Sequence, residues 1–308
     1  MKISYHIKLA FFVLFLGAAL QGCKQKTVKS VSEDTFNAGK ATFVADESFA
    51  PIIDQEEYVY KSRYPAAEPT FLYRTENQAV NMLLNDSVRM AILARDLDTA
   101  ERNILIRRSL SVEVQRFAID AVTLIVNEGS NDTTITISTL KRMLNGLGDP
   151  NKTIVFDNPN SSLVRYLKDF SGNKEFKHKN IYALKSNKEV IKYVSEHPGA
   201  LGITGFSWLN NPDVDLVDYV KKVKIVGVKD EANKIYPNQY FKPSQETLVL
   251  KQYPLSRGLY LVNSSSKIGL AIGFATFLGG NIGQKIILKS GLLPDSIPPR
   301  EINLKSKL

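Results

Sequence analysis

Residues 117–127 read FAIDAVTLIVN, a nearly unbroken apolar run in the middle of the chain. A run that does not alternate predicts a strand covered on both faces, as in the buried sheets of α/β proteins. Shorter strand signals precede it at 41–45, 70–73 and 89–94, separated by helical stretches at 49–62, 76–85 and from 95 to about 109. Pro51 falls in the first turn of its helix, where its missing N–H costs nothing. Ala79, Val80, Leu83 and Leu84 share one helical face. The pattern then restarts. A helix from Ile137 ends near Gly146 or Gly148, a strand covers 154–156, and helices cover 163–170 and 187–196, the latter stopped by Pro198-Gly199. Further strands are predicted at 200–204, 223–228 and 255–262. Alternating strands and helices with short connections give an α/β fold with mainly parallel sheets flanked by helices. A length of 308 residues suggests two domains. The apolar, glycine-rich stretch 266–288 is bracketed by Lys267 and Lys285 and is too short to span a bilayer, so it predicts one or two buried helices.

The N-terminus carries a second signal. Lys2 and Lys8 precede an apolar core from Leu9 to Leu20, followed by Gln21-Gly22-Cys23. This is the layout of a secretory signal peptide over 1–22, and Leu-x-Gly-Cys resembles the lipobox of bacterial lipoproteins. The resemblance implies cleavage before Cys23, acylation of its thiol and attachment to membrane lipid. Gln21 departs from the small residue usual there. Residues 23–40 are polar and aperiodic and read as a flexible tether.

Cys23 is the only cysteine, so the folded part has no internal disulfide, no Cys-based zinc site and no thiol nucleophile. Loss of Lys2 and Lys8 would leave 38 basic against 31 acidic residues, a mild excess that suits a small anion. The basic residues are dispersed, and no aromatic-basic stripe of the single-strand-binding kind occurs, so no nucleic-acid partner is expected. Beyond the signal peptide only His178 and His197 remain, one in a lysine-rich loop and one at a helix end. Neither lies in a metal-spaced cluster or near a nucleophile elbow, so the sequence predicts no enzyme and no cofactor.

Three strands end in a hydroxyl residue that opens a helix: Ser48, Thr75 and Ser161-Ser162. The first amides of a helix lack partners within it and carry partial positive charge, so a hydroxyl beside them completes an anion cradle. The plainer reading of each is an N-cap. Ligands of open α/β sheets bind at the carboxyl ends of strands, where all three lie.

The order of motifs resembles the phosphate-specific periplasmic substrate-binding proteins of ABC importers, within the type II periplasmic-binding-protein superfamily. The resemblance runs from about Ala41 to Pro294. Residues 118–127 resemble the family's "D-G-I-A-V-V-V-N" crossover strand, 198–205 (PGALGITG) its "P-G-A-I-G-Y-V-G", and 253–260 (YPLSRGLY) its "Y-P-L-x-R-P-L-Y". Residues 45–51 and 74–79 stand at its two Ser/Gly-rich turns, 91–95 at its "I-A-S-R/D" segment, and 158–165 at its "S-G-T-R" anion loop.

The resemblance implies a two-lobed type II fold joined by two crossover strands, with lobe one over 41–122 and 256–308 and lobe two over 123–255. It implies an oxyanion, phosphate or a relative, clamped by Ser48, Phe49, Thr75, Arg95, Asp120, Ser161, Ser162 and Leu163. It further implies a monomer on the periplasmic face of a bacterial membrane that delivers its ligand to ABC permease subunits. Some relatives carry an aspartate where this chain has Arg95. Arginine brings a fork suited to a phosphate edge but removes an acceptor for the ligand's proton. Either Asp120 or Glu76 would replace that acceptor. Asp120 could instead pair with Arg257, and Glu76 could simply occupy a helix first turn. Arg165 reads equally as ligand or as surface residue. The altered anion loop keeps a second reading open: an envelope sensor or accessory protein that uses the fold to dock on another membrane complex, with weak or no phosphate binding.

Overall fold

The computed structural model describes residues 34–265 and 267–296. The predicted signal peptide and Cys23 lie outside the described residues. Twelve strands are described: β1 Gly39–Asp46, β2 Ala67–Arg74, β3 Met90–Leu93, β4 Glu113–Asn127, β5 Thr134–Thr136, β6 Thr153–Phe156, β7 Ile181–Ala183, β8 Ala200–Gly205, β9 Val223–Ile225, β10 Gly227–Lys229, β11 Ser256–Asn263 and β12 Leu293–Pro294. The main path runs β2-β1-β3-β11-β4-β8-β6-β7.

Strand β4 explains the two-lobed form. Residues 113–121 pair antiparallel with β11, while 122–127 pair antiparallel with β8 and, at the end, with β9. On one side, β1, β2 and β3 are mutually parallel. On the other, β6 is parallel to both β7 and β8. Each half is therefore a parallel sheet edged by a shared antiparallel crossover. From Phe117 onward the strand is buried almost without interruption, as its unbroken apolar run predicts.

The aromatic core of the first half gathers Phe43, Phe71 and Phe274, with Tyr60 edge-on to Phe274 and Phe277. The stretch 266–288 yields two helices bent by 59° around Gly280: Leu270–Gly279, largely buried, and Asn281–Lys289, buried only along the face of Gly283, Gln284 and Ile287. No single helix among the described residues is long and apolar enough to cross a membrane. Gly273 is a place where only glycine fits, because an added Cβ would collide with the Phe36 carbonyl oxygen.

Two expectations change. The tether does not extend to residue 40. β1 begins at Gly39, Tyr60 donates its hydroxyl hydrogen to the Phe36 carbonyl, and Asp34 accepts the Leu270 amide at 2.8 Å. These bonds fix 34–38 to the body. The predicted strand 223–228 is two strands in two sheets. β9 joins β4, whereas β10 crosses to β5, a strand that the sequence pattern does not announce.

Candidate functional site

The three hydroxyl-bearing helix starts gather about the junction of the two halves. After β1, Asp46 caps a short 3-10 turn, Glu47–Phe49, by accepting the Ser48 amide at 2.8 Å, and the helix Ala50–Arg63 follows. After β2, Thr75 precedes the helix Glu76–Leu84. Gln78 accepts the Thr75 amide at 3.4 Å, and its own backbone amide faces the buried Thr75 hydroxyl in a loose capping box. After β6, Ser161 caps the helix Ser162–Ser171 through the Val164 amide at 3.1 Å. Ser48, Phe49, Ser162 and Leu163 are wholly buried.

Arg257 joins these pieces. It lies opposite Asp120 in the β11–β4 ladder, so the two side chains share a face. Its Nε and Nη2 donate to one Asp120 oxygen at 3.0 and 2.9 Å, and Nη1 donates to the Ser162 hydroxyl at 2.9 Å. The guanidinium stacks 4.7 Å from the centre of the Phe49 ring. Such stacking suits a weakly hydrated, planar cation. Asp120 is thus the partner of Arg257, one of the two roles its sequence position allowed; its second oxygen closes no hydrogen bond, with the Ala121 and Phe206 amides near enough to favour its charge. Burial raises its pKa against the pull of Arg257. At Gly205 an added Cβ would meet Arg257 at 3.3 Å and Asp120 at 3.4 Å, so β8 packs closely over the pair.

Arg95 is not a free ligand arm. Two of its nitrogens donate to Glu101 at 2.7 Å each, in the two-pronged geometry guanidinium favours, and a third lies 3.4 Å from Glu76. Glu101 in turn closes the capping box of the helix Thr99–Arg107. Glu76 is almost fully buried and does more than occupy a first turn. It accepts the Ala94 amide at 3.2 Å and is gripped by Arg165. Arg165 is neither an idle surface residue nor an unengaged ligand: it ties the Ser162–Ser171 helix to the Glu76–Leu84 helix.

Sequence reasoning missed Asp46, Asp157, Asn187 and Trp208. Asp157 is buried and accepts from Ser161 Oγ at 2.5 Å, Asn187 Nδ2 at 3.0 Å and Ser48 Oγ at 3.5 Å. Asn187 is held in turn by Thr204, whose hydroxyl donates to it at 2.8 Å. Trp208 Nε1 donates to the Ser48 carbonyl at 2.9 Å. Burial raises the Asp157 carboxyl to about 7, opposed by the Ser161 bond. Burial also raises Asp46, with the nearby Glu76 adding to it. Among the described residues no group of three or more His, Cys, Asp or Glu side chains is placed to hold a metal ion.

The site is therefore a closed, buried junction of three hydroxyl-bearing helix starts, a fixed arginine and several carboxylates. It can recognise a small group that offers acceptor oxygens to hydroxyls and amides, and a donor to the bare carboxylate oxygens.

The comparisons with known proteins agree with this architecture. A search of curated protein sequences finds no match. Among solved structures, a Clostridium perfringens protein described as a phosphate ABC transporter substrate-binding protein, with bound phosphate, superposes with a TM-score of 0.68 at 16% identity, covering 84% of this chain and all of that one. An ABC-type phosphate transport receptor from Vibrio cholerae gives 0.62 at 17% identity, over 82% and 99%. The regulatory domain of CcmR from Synechocystis, solved with 2-PG, gives 0.53 at 11%, over 78% and 95%. The family described as the PBP superfamily domain matches residues 30–281, most of the chain. Strand order, crossover strands and this match agree, and the chain belongs to the PBP superfamily, with a two-lobed type II fold.

Proposed function

We propose that the protein is a non-catalytic receptor that takes phosphate or a similar oxyanion between its lobes and delivers it to an ABC importer. In this reading it is a monomer, anchored through acylated Cys23 on the periplasmic face of a bacterial membrane. Lobe one comprises 41–122 and 256–308, and lobe two 123–255. The observation that carries the reading is the buried Arg257, which stacks on Phe49 of the first helix start and donates to Ser162 of the third, while Arg165 ties the third helix to Glu76, beside Thr75, in the second. The amides of Phe49 and Leu163 belong to the same helix starts. One oxygen of the buried Asp120 closes no hydrogen bond and the buried Thr75 hydroxyl is met only by a loose capping box, so a ligand carrying both acceptor and donor oxygens would satisfy them better. A monohydrogen phosphate has a proton for such a carboxylate, and sulfate has none. Arg95, held by Glu101, serves by charge and by fixing Glu76 rather than by direct contact.

Isothermal titration of the mature protein with phosphate, arsenate and sulfate tests this. Phosphate and arsenate are expected to bind and sulfate to bind far more weakly. Absence of binding by every oxyanion up to millimolar concentration would sink the capture reading.

One observation favours the second reading. Each arginine at the junction already faces a carboxylate: Arg257 with Asp120, Arg95 with Glu101 and Glu76, and Arg165 with Glu76 and Asp169. A junction satisfied in this way would suit an accessory protein that docks on another membrane complex with little or no phosphate binding. The same titration separates the two.

A further inference from the structure

Two of the serines proposed to hold an oxyanion, Ser48 and Ser161, are already engaged by carboxylates. Asp46 Oδ1 takes the Ser48 amide. Asp157 takes the hydroxyls of Ser48 and Ser161. The Ser162 hydroxyl, which accepts from Arg257, lies close enough to Asp46 to favour its ionised form without closing a hydrogen bond to it. Asp46 adds to the rise of Asp157, and both feel the Arg257 guanidinium.

Asp46 is the unusual member. An aspartate that caps a turn is common, and a cap is normally wet. Here the residue is wholly buried, faces a second carboxylate at Glu76, and leaves Oδ2 without any donor. Capping alone does not call for that environment, because a serine or asparagine would hold the Ser48 amide without a buried charge. The position is set by the chain. Asp46 is the last residue of β1, so the strand delivers its side chain into the first of the three helix starts. A carboxylate is planar, carries one negative charge and presents two acceptor oxygens. It therefore matches one edge of a small oxyanion in both charge and hydrogen-bonding capacity.

We propose that Asp46 is a resident competitor for the oxyanion: its carboxylate occupies the place of one ligand edge at the Ser48 turn, and a ligand enters only by displacing it. The proposal rests on the capture reading and adds to it the residue that sets affinity. The junction that Asp46 occupies is closed by the chain's own bonds, Ser48 to Asp157, Trp208 to Ser48 and Arg165 to Glu76. A receptor closed in this way responds only where the anion is abundant enough to compete.

Titration of phosphate into the mature wild-type protein, Asp46→Asn and Asp46→Ala near neutral pH tests the assignment. Asparagine keeps an oxygen for the Ser48 amide and removes the charge, and alanine removes both. Both variants are expected to bind phosphate at least about tenfold more tightly than wild type, because a like charge no longer faces the anion. Wild-type binding as tight as or tighter than that of both variants would overturn the proposal while leaving the capture reading intact. No binding by any of the three would remove the capture reading and the proposal with it. Thermal melts confirm folding, and if Asp46→Ala fails to fold, Asp46→Asn decides alone.

Discussion

Two buried carboxyls, Glu56 and Asp157, occupy contrasting surroundings. Glu56 lies on the buried face of the Ala50–Arg63 helix with Ile52, Ile53 and Tyr60, and neither of its oxygens has a partner. Asp157 follows β6 and accepts three hydrogen bonds. Both are fully shielded from solvent. Burial drives Glu56 from 4.5 to about 9, whereas Asp157 rises from 3.8 only to about 7. The difference teaches that donors, not depth, decide whether an acid in this protein remains ready to ionise. Glu56 is stored as a neutral acid at neutral pH, while Asp157 sits near the point of switching. The junction is thus polar and tunable where the first lobe's interior is apolar and fixed.

The largest test of the contrast is Glu56→Gln. A carboxyl raised in the folded state contributes stability that is complete below the unfolded value near 4.5 and is lost as pH rises through about 9. At pH 7.5 the loss amounts to roughly 3–4 kcal/mol, at about 1.4 kcal/mol per pH unit. Glu56→Gln is therefore expected to be more stable than wild type by about that amount at pH 7.5 and nearly equal at pH 4.5. Urea unfolding at the two pH values measures it, and equal stability at both would show that Glu56 reaches water or a partner. The next effect is Asp157→Ala, which strands the Ser48 and Ser161 hydroxyls and the Asn187 amide. A loss of about 2–3 kcal/mol is expected from buried donors left unmatched. A loss below about 1 kcal/mol would mean that the three donors find water. Ser161→Ala is the smallest. It removes one cap and one of the Asp157 bonds, for about 1–2 kcal/mol in the same assay. Because one of its donors is then missing, the pKa of Asp157, followed by carboxyl NMR, should rise further above 7. An unchanged value would mean that the Ser161 hydroxyl does not hold the carboxylate, and the contrast with Glu56 would lose its cause.

Much of this is legible in the sequence. The helix predicted over 187–196 matches the observed one at both ends, and the crossover run 117–127 lies within β4. Hydroxyls opening helices at 48, 75 and 161–162 stand out because a cap is a local signal, made within three residues. Asp157 and Trp208 are not legible, because their partners lie far along the chain: Trp208 reaches Ser48 across 160 residues, and Asp157 reaches it across 109. Arg95 misleads for the same reason in reverse. A guanidinium at a strand end looks available until its acid, Glu101, is seen to fold back within the next helix turn. The split of 223–228 shows another limit. β-branched residues announce strands but not which neighbour each will choose.

The place of β11 has a consequence for how the protein is made. β3 and the first half of β4 flank β11 on either side, and the helices over 270–289 cover the aromatic core that β1 and β2 begin. The strands β1 to β3 therefore cannot finish their own sheet until residues 256–289 have left the ribosome. The inserted half, by contrast, has all its strands but the shared β4 between residues 134 and 229. The middle of the protein can settle while the beginning waits, and for that interval the apolar edges of β1 to β4 stay open to the wrong partners.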